Sequence, residues 1–178
     1  VIALKKMLAK PHKVPVIAGI GSDLSVGDSL DPITGTLLKD KLRLLKCFIY
    51  GTLQKPITAH EIRYINKFLR QSHPDSPIIA VNAAVGSSGD IGLIKIANHG
   101  AKPGSGANKK PGMVGDISVM GIIAEKSLFN LSILSSTRLN IVYRMANIIA
   151  EGISTFIMDD IRNSVLYQTE DELTDKAQ

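Results

Sequence analysis

Three polar segments of this chain carry residue types that can do chemistry. Gly21-Ser22-Asp23-Leu24-Ser25-Val26-Gly27-Asp28 holds two carboxylates, Asn82-Ala83-Ala84 an amide, and Pro103-Gly104-Ser105-Gly106 a run of small residues. A carboxylate such as Asp28 or Asp23 can orient and deprotonate water, act as a general base, or hold a metal. The same side chains can equally cap local structure: Asp23 a turn, and Asp28 or Asp31 the helix that follows. Backbone N–H groups of the Pro-Gly-Ser-Gly run can face a carbonyl oxygen or an anion, or the run can simply be a mobile loop. The histidines His12, His60, His73 and His99 show no metal-ligand spacing, and only His99 lies near a candidate segment. A Ser-His-Asp triad lacks its Gly-x-Ser-x-Gly elbow. Gly19-Ile20-Gly21 resembles the start of a dinucleotide-binding turn, but the third glycine is missing and no acidic residue ends the next strand. Dinucleotide chemistry is excluded on that ground.

These segments form a site only if the elements around them converge. Val14 to Ile20 is an apolar, β-branched run that reads as a buried strand. Asp31-Pro32 predicts an N-cap followed by proline in the first helical turn, with a helix to about Leu45. Cys47 to Tyr50 reads as a second strand. Thr58-Ala59-His60-Glu61 predicts a capping box and a helix to about Gln71 with Ile62, Ile65 and Leu69 inward. Pro77 to Val81 and Ile91 to Ile96 read as two further strands, joined through Gly86–Asp90 by a connection short enough for a hairpin. Ile117 to Ile123 is a fifth strand. A long amphipathic helix runs from about Ser136 to Phe156, with a shorter helical tail beyond it.

Strands alternating with helices predict one mostly parallel sheet covered on both faces, a three-layer α/β/α sandwich. In such sheets ligands bind where loops leave the carboxyl ends of the strands, which could unite the three polar segments. The expectation is a single domain over residues 1–178, with its core at about 14–157. An acidic, mobile tail follows from about 168 to 178, where Glu170, Asp171, Glu172 and Asp175 face Lys176 alone.

Composition supports that architecture. The chain of 178 residues is 44% hydrophobic with only 4% aromatic residues and no Trp, so its core is aliphatic, as parallel sheets require. So few aromatics give little support to base stacking on single-stranded nucleic acid. The net charge of +5 could favour an acidic partner, but the lysines and arginines are spread without a nucleic-acid motif. Cys47, the single cysteine, sits in the apolar run Cys47-Phe48-Ile49-Tyr50 and reads as a buried inert thiol. No signal peptide is recognised, and no apolar stretch is expected to reach the roughly 20 residues of a membrane span. The expectation is a cytoplasmic protein.

The loops, taken together, resemble the YyaC-type sporulation proteins. The resemblance rests on Gly19-Ile20-Gly21-Ser22-Asp23-Leu24-Ser25-Val26-Gly27-Asp28-Ser29-Leu30-Asp31-Pro32, Tyr50-Gly51-Thr52-Leu53, Lys102-Pro103-Gly104-Ser105-Gly106-Ala107-Asn108-Lys109 and Val114-Gly115-Asp116-Ile117. The run from Thr137-Arg138-Leu139 to Ile149-Ala150-Glu151-Gly152-Ile153 resembles the final helix of that family. The family is similar to the spore germination protease and, more distantly, to hydrogenase maturation proteases. This implies a phosphorylase/hydrolase-like fold and a role in the sporulating cell or spore. It also implies an acid-residue peptidase acting on a protein or peptide, such as a small spore protein, without a cofactor.

On that resemblance Asp28 matches one catalytic aspartate of the germination protease, and Asn82 stands where the second belongs. An amide neither takes nor gives a proton at neutral pH. The alternative is therefore a binding protein that keeps the protease cleft without turnover. Ser22, Asp23, Pro103, Gly104, Ser105, Gly106 and Asn108 would position substrate. Hydrogenase proteases carry a metal-contacting histidine where Gly104 and Ser105 stand, so no metal is expected here. A homo-oligomer is compatible with the resemblance.

Overall fold

The computed structural model describes residues 1–9, 13–103, 112–126 and 137–175, with side chains to residue 163. The elements are α1 (Ile2–Met7), β1 (Val16–Gly19), α2 (Leu30–Lys41), β2 (Ile49–Tyr50), α3 (Ile62–Ser72), β3 (Ile78–Gly86), β4 (Ile94–Ala97), β5 (Ile117–Glu125) and α4 (Leu139–Asp175). Among the described residues, five strands form one sheet in the order β2-β1-β3-β5-β4. All neighbours run parallel except β4, which is antiparallel to β5.

The aliphatic runs are explained by burial on both faces. Alternation sends Ile17, Ile79, Val81, Ile117 and Val119 to one face, where α2 and α4 contribute Leu30, Leu38, Val142, Ile149, Ile153 and Phe156. Val16, Ala18, Ile78 and Ala80 point to the other face, against Ile62, Ile65 and Leu69 of α3. The result is the expected three-layer α/β/α sandwich. The capping box forms as expected: Thr58 and Glu61 satisfy one another around a 3-10 turn at Ala59–Glu61, directly before α3.

Several expectations are corrected. Gly86–Asp90 is not a hairpin, because β5 lies between β3 and β4 and takes the pairing of both. Ser88–Asp90 forms a 3-10 turn instead, closed by Asp90 back to Ser87. Asp31 does not cap α2; the helix begins at Leu30, and Asp31 lies inside its first turn. The last helix continues unbroken to Asp175, where a shorter element and a tail are expected; residues 176–178 lie outside the described ones. Within it, Leu139–Asn163 is long and apolar enough to cross a membrane by length and composition, contrary to the expectation. Half of its most apolar window is buried in the protein, where Val142, Met145, Ile149, Ile153 and Phe156 join the core.

The strand order fixes where a site can form. The chain leaves β1 for β2 on one side and returns through α3 to β3 on the other. The β1/β3 boundary is therefore a topological switch point, and in open α/β sheets the crevice beyond the carboxyl ends at such a point is where ligands bind.

Candidate functional site

The loop after β1 folds tightly over this crevice. Ile20 N–H still donates to Val81 O at 3.2 Å, and Gly21 N–H turns away to Ile57 O at 2.9 Å. Ser22 N–H donates to the Asp28 carbonyl at 3.2 Å, so the loop closes on itself. Inside it, Leu24 N–H donates to Ser22 Oγ at 3.2 Å and Ser29 Oγ to Val26 O at 2.6 Å. Gly21 permits this closure. A Cβ there would stand 2.2 Å from the Asp28 carbonyl oxygen and 2.5 Å from Asp31 Oδ2, far inside contact distance.

Asp28 lies in the 3-10 turn Gly27–Ser29, which packs against β3. Burial pushes its carboxyl above the ordinary value, while the Ser22 backbone N–H draws it back. Asn82 is the first residue of β3 beyond the end of β1 and is 9% exposed. Its Nδ2 donates to the carbonyl of Ala83 at 2.7 Å. The fold thus brings the Asp28 turn onto the strand that carries Asn82, but no hydrogen bond joins the two side chains. Ser22 sits half-buried at the mouth, and Asp23 and Leu24 are exposed on the outer loop.

The third segment is placed differently. The base of the 98–115 loop is closed by a bridge between Ala101 and Val114, with N···O distances of 2.8 and 2.9 Å. Asp116 N–H donates to Ile78 O at 2.8 Å, so this base stands at the amino end of β3, opposite the Asp28 end. Pro103 is buried just beyond it, and Gly104, Ser105, Gly106 and Asn108 lie outside the described residues.

The sequence reading missed Asp31. Its residue is fully buried, and both carboxyl oxygens lack a hydrogen-bond partner. Burial first, and the neighbouring Asp28 charge second, push this carboxyl well above its ordinary value. The Ala83 backbone N–H, short of hydrogen-bond geometry, pulls weakly the other way. The signal was present: residues three apart in a helical turn share a face, so Asp28 and Asp31 were bound to meet once this loop wound up. Reading Asp31 as a cap hid it. Among the described residues no three His, Cys, Asp or Glu side chains gather, so the two aspartates do not by themselves make a metal centre.

A parallel sheet with this crevice and an antiparallel edge strand defines an α/β/α protein of hydrogenase-maturation-protease fold. The NiFe hydrogenase maturation protease HycI from Thermococcus kodakarensis KOD1 matches with a TM-score of 0.60 at 16% identity, over 88% of this chain and 99% of that one. A family described as a protein of unknown function, DUF1256, matches residues 1–152. The uncharacterized protein YyaC of Bacillus subtilis (strain 168) is 36% identical over 152 residues, covering 85% of this chain and 72% of that protein. The chain belongs to this YyaC-type family.

Proposed function

We propose that this protein is a peptidase of the sporulating cell, related in action to the spore germination protease, with Asp28 as its acid–base residue. One observation carries the reading: a half-buried carboxyl with raised proton affinity stands at the switch point of a protease fold. Such a group is suited to proton transfer nearer neutrality than a solvated aspartate. In the reaction Asp28 takes a proton from water as the hydroxide oxygen bonds to the scissile carbonyl carbon. It then returns that proton to the departing amine as the C–N bond breaks. The Asn82 amide has two N–H donors and uses one on Ala83, leaving the other for the developing oxyanion. The substrate is a protein or peptide of the small spore protein kind, and the site of action is the cytoplasm of the sporulating cell or spore.

A second reading, a protease-fold binding protein without turnover, is favoured by the Asn82 amide being tied to its own backbone. Cleavage of a purified small spore protein separates the two. Asp28→Ala is expected to lower the rate by about 10²–10⁴-fold, the usual worth of a general base. Asn82→Asp puts an acid where the resemblance to the germination protease places the second aspartate and is expected to raise it. No cleavage by wild type or by Asn82→Asp overturns the peptidase reading and leaves binding.

A further inference from the structure

Asp31 is expensive where it stands. A carboxyl removed from water without hydrogen bonds destabilises a fold, and the usual use of aspartate at a helix start is to cap, which Asp31 does not do. Its carboxyl faces the loop of the candidate site, since Oδ2 and the Asp28 carbonyl oxygen both crowd the space that a Cβ on Gly21 would fill. Ser25 Oγ in the same loop is likewise buried without a partner. Two unsatisfied polar side chains beneath one crevice mark a place arranged for something other than stability.

We propose that Asp31 is the second carboxyl of this site, coupled to Asp28 through space so that the pair carries a single proton. Asp31 never reaches the solvent, so it is a positioning residue and Asp28 does the chemistry. The inference deepens the peptidase reading and rests on it for its catalytic consequence. Asn82 then leaves no acid missing, because the partner stands on α2, on the opposite face of β3.

The surroundings support one proton rather than none. Asp28 is the titratable group facing Asp31, and Asp23 of the same loop is exposed. From β3 comes the backbone N–H of Ala83, and from the end of β1 and the loop after it the glycines Gly19 and Gly21. From α4, Met145 shares with Leu30 the apolar contact over Gly121. Among the described residues no cation offsets a second negative charge. Two carboxylates in that setting cannot both ionise readily, so Asp31 keeps the proton and Asp28 is left as the base. When Asp28 takes a proton from water, the pair becomes neutral; when it delivers that proton to the amine, the pair returns to one charge.

Carboxyl carbon NMR titration of the full chain tests this, alongside Asp28→Asn and Asp31→Asn. In the wild type, Asp31 is expected to titrate above the ordinary carboxylate range. In Asp28→Asn its midpoint is expected to fall by about one unit or more, since the like charge is gone. In Asp31→Asn the upper step disappears. Unfolding gives a second readout that needs no catalysis. The folded state of the wild type binds the extra proton, so its stability falls as pH rises from the ordinary aspartate value through the raised one, and Asp31→Asn lacks that fall. If Asp31→Asn does not fold, Asp31→Ala takes its place. An Asp31 that ionises in the ordinary range, or a midpoint unmoved by Asp28→Asn, overturns the pair. Absent cleavage with the titrations as expected sinks the peptidase reading alone.

Discussion

Two aspartates show how one residue type is turned to opposite ends. Asp31 is buried with no hydrogen-bond partner for either oxygen, whereas Asp116 accepts from both Arg70 Nη groups at 3.0 and 2.6 Å and from Ile78 N–H at 2.9 Å. Partial burial raises the Asp116 carboxyl, but the Arg70 hydrogen bonds, the Ile78 N–H and the guanidinium charge outweigh it and hold it below the ordinary value. The sign of its contribution follows: stability is present above the unfolded aspartate value and is lost as pH falls through the lowered one. Because the pair is about two-fifths exposed on each side, solvent screens it. Asp116→Asn is expected to lose less than about 1 kcal/mol at neutral pH and to converge with the wild type in acid. Urea unfolding at a series of pH values checks this, and a gap that persists in acid would refute it.

At the scale of elements, two helical glycines have opposite reasons to exist. Gly35 of α2 lies against the turn after β2, where an added Cβ would stand 2.1 Å from the Gly51 carbonyl oxygen. Gly51 is itself at φ +77°, a conformation that favours glycine, so neither side can yield cheaply. This contact sets how closely α2 lies on β1 and β2, and hence where its first turn places Asp31. Gly152 of α4 has nothing within 4 Å of its would-be Cβ. Alanine there adds helix propensity without a clash and is expected to stabilise by about 1 kcal/mol. The same change at Gly35 is expected to destabilise by about 1–3 kcal/mol. Thermal unfolding of the two variants gives the comparison, and equal signs would contradict it.

The whole molecule is closed by its two ends. Leu4 of α1 is 2% exposed and belongs to the cluster that α2 and α4 build on the sheet. Lys5 beside it reaches Asp159 of α4 at 2.6 Å, with both side chains substantially exposed. Apolar burial outweighs an exposed ion pair, so Leu4 does the fastening. Leu4→Ala is expected to lower stability by about 2–5 kcal/mol, and Lys5→Ala by less than about 1 kcal/mol. Denaturant midpoints of both variants decide it: equal effects would mean that the ion pair, not the buried leucine, anchors α1.

The sequence by itself determined the layers. Aliphatic runs such as Pro77 to Val81, helices with Ile62, Ile65 and Leu69 inward, and the Thr58–Glu61 capping box are local patterns, and local patterns survive into the fold because each element must bury its own apolar face. Asp28 falls in a turn after β1, as the loop reading expected, but Asn82-Ala83-Ala84, read as a loop after a strand ending at Val81, lies within β3, because that strand continues to Gly86 along β5. Strand order was not legible: a short connection suggested that β3 and β4 pair, but β5 carries more aliphatic surface to bury between them, so the hairpin gave way to a long-range pairing. Asp31 was hidden for a related reason. An aspartate before a proline reads as a cap when only its neighbours in sequence are considered. It becomes a buried carboxyl without a hydrogen-bond partner only when the preceding loop folds Gly21 back onto it and Ala83 of the distant β3 closes over it. Burial and charge coupling depend on what the rest of the chain brings to a residue, and that is settled by tertiary packing alone.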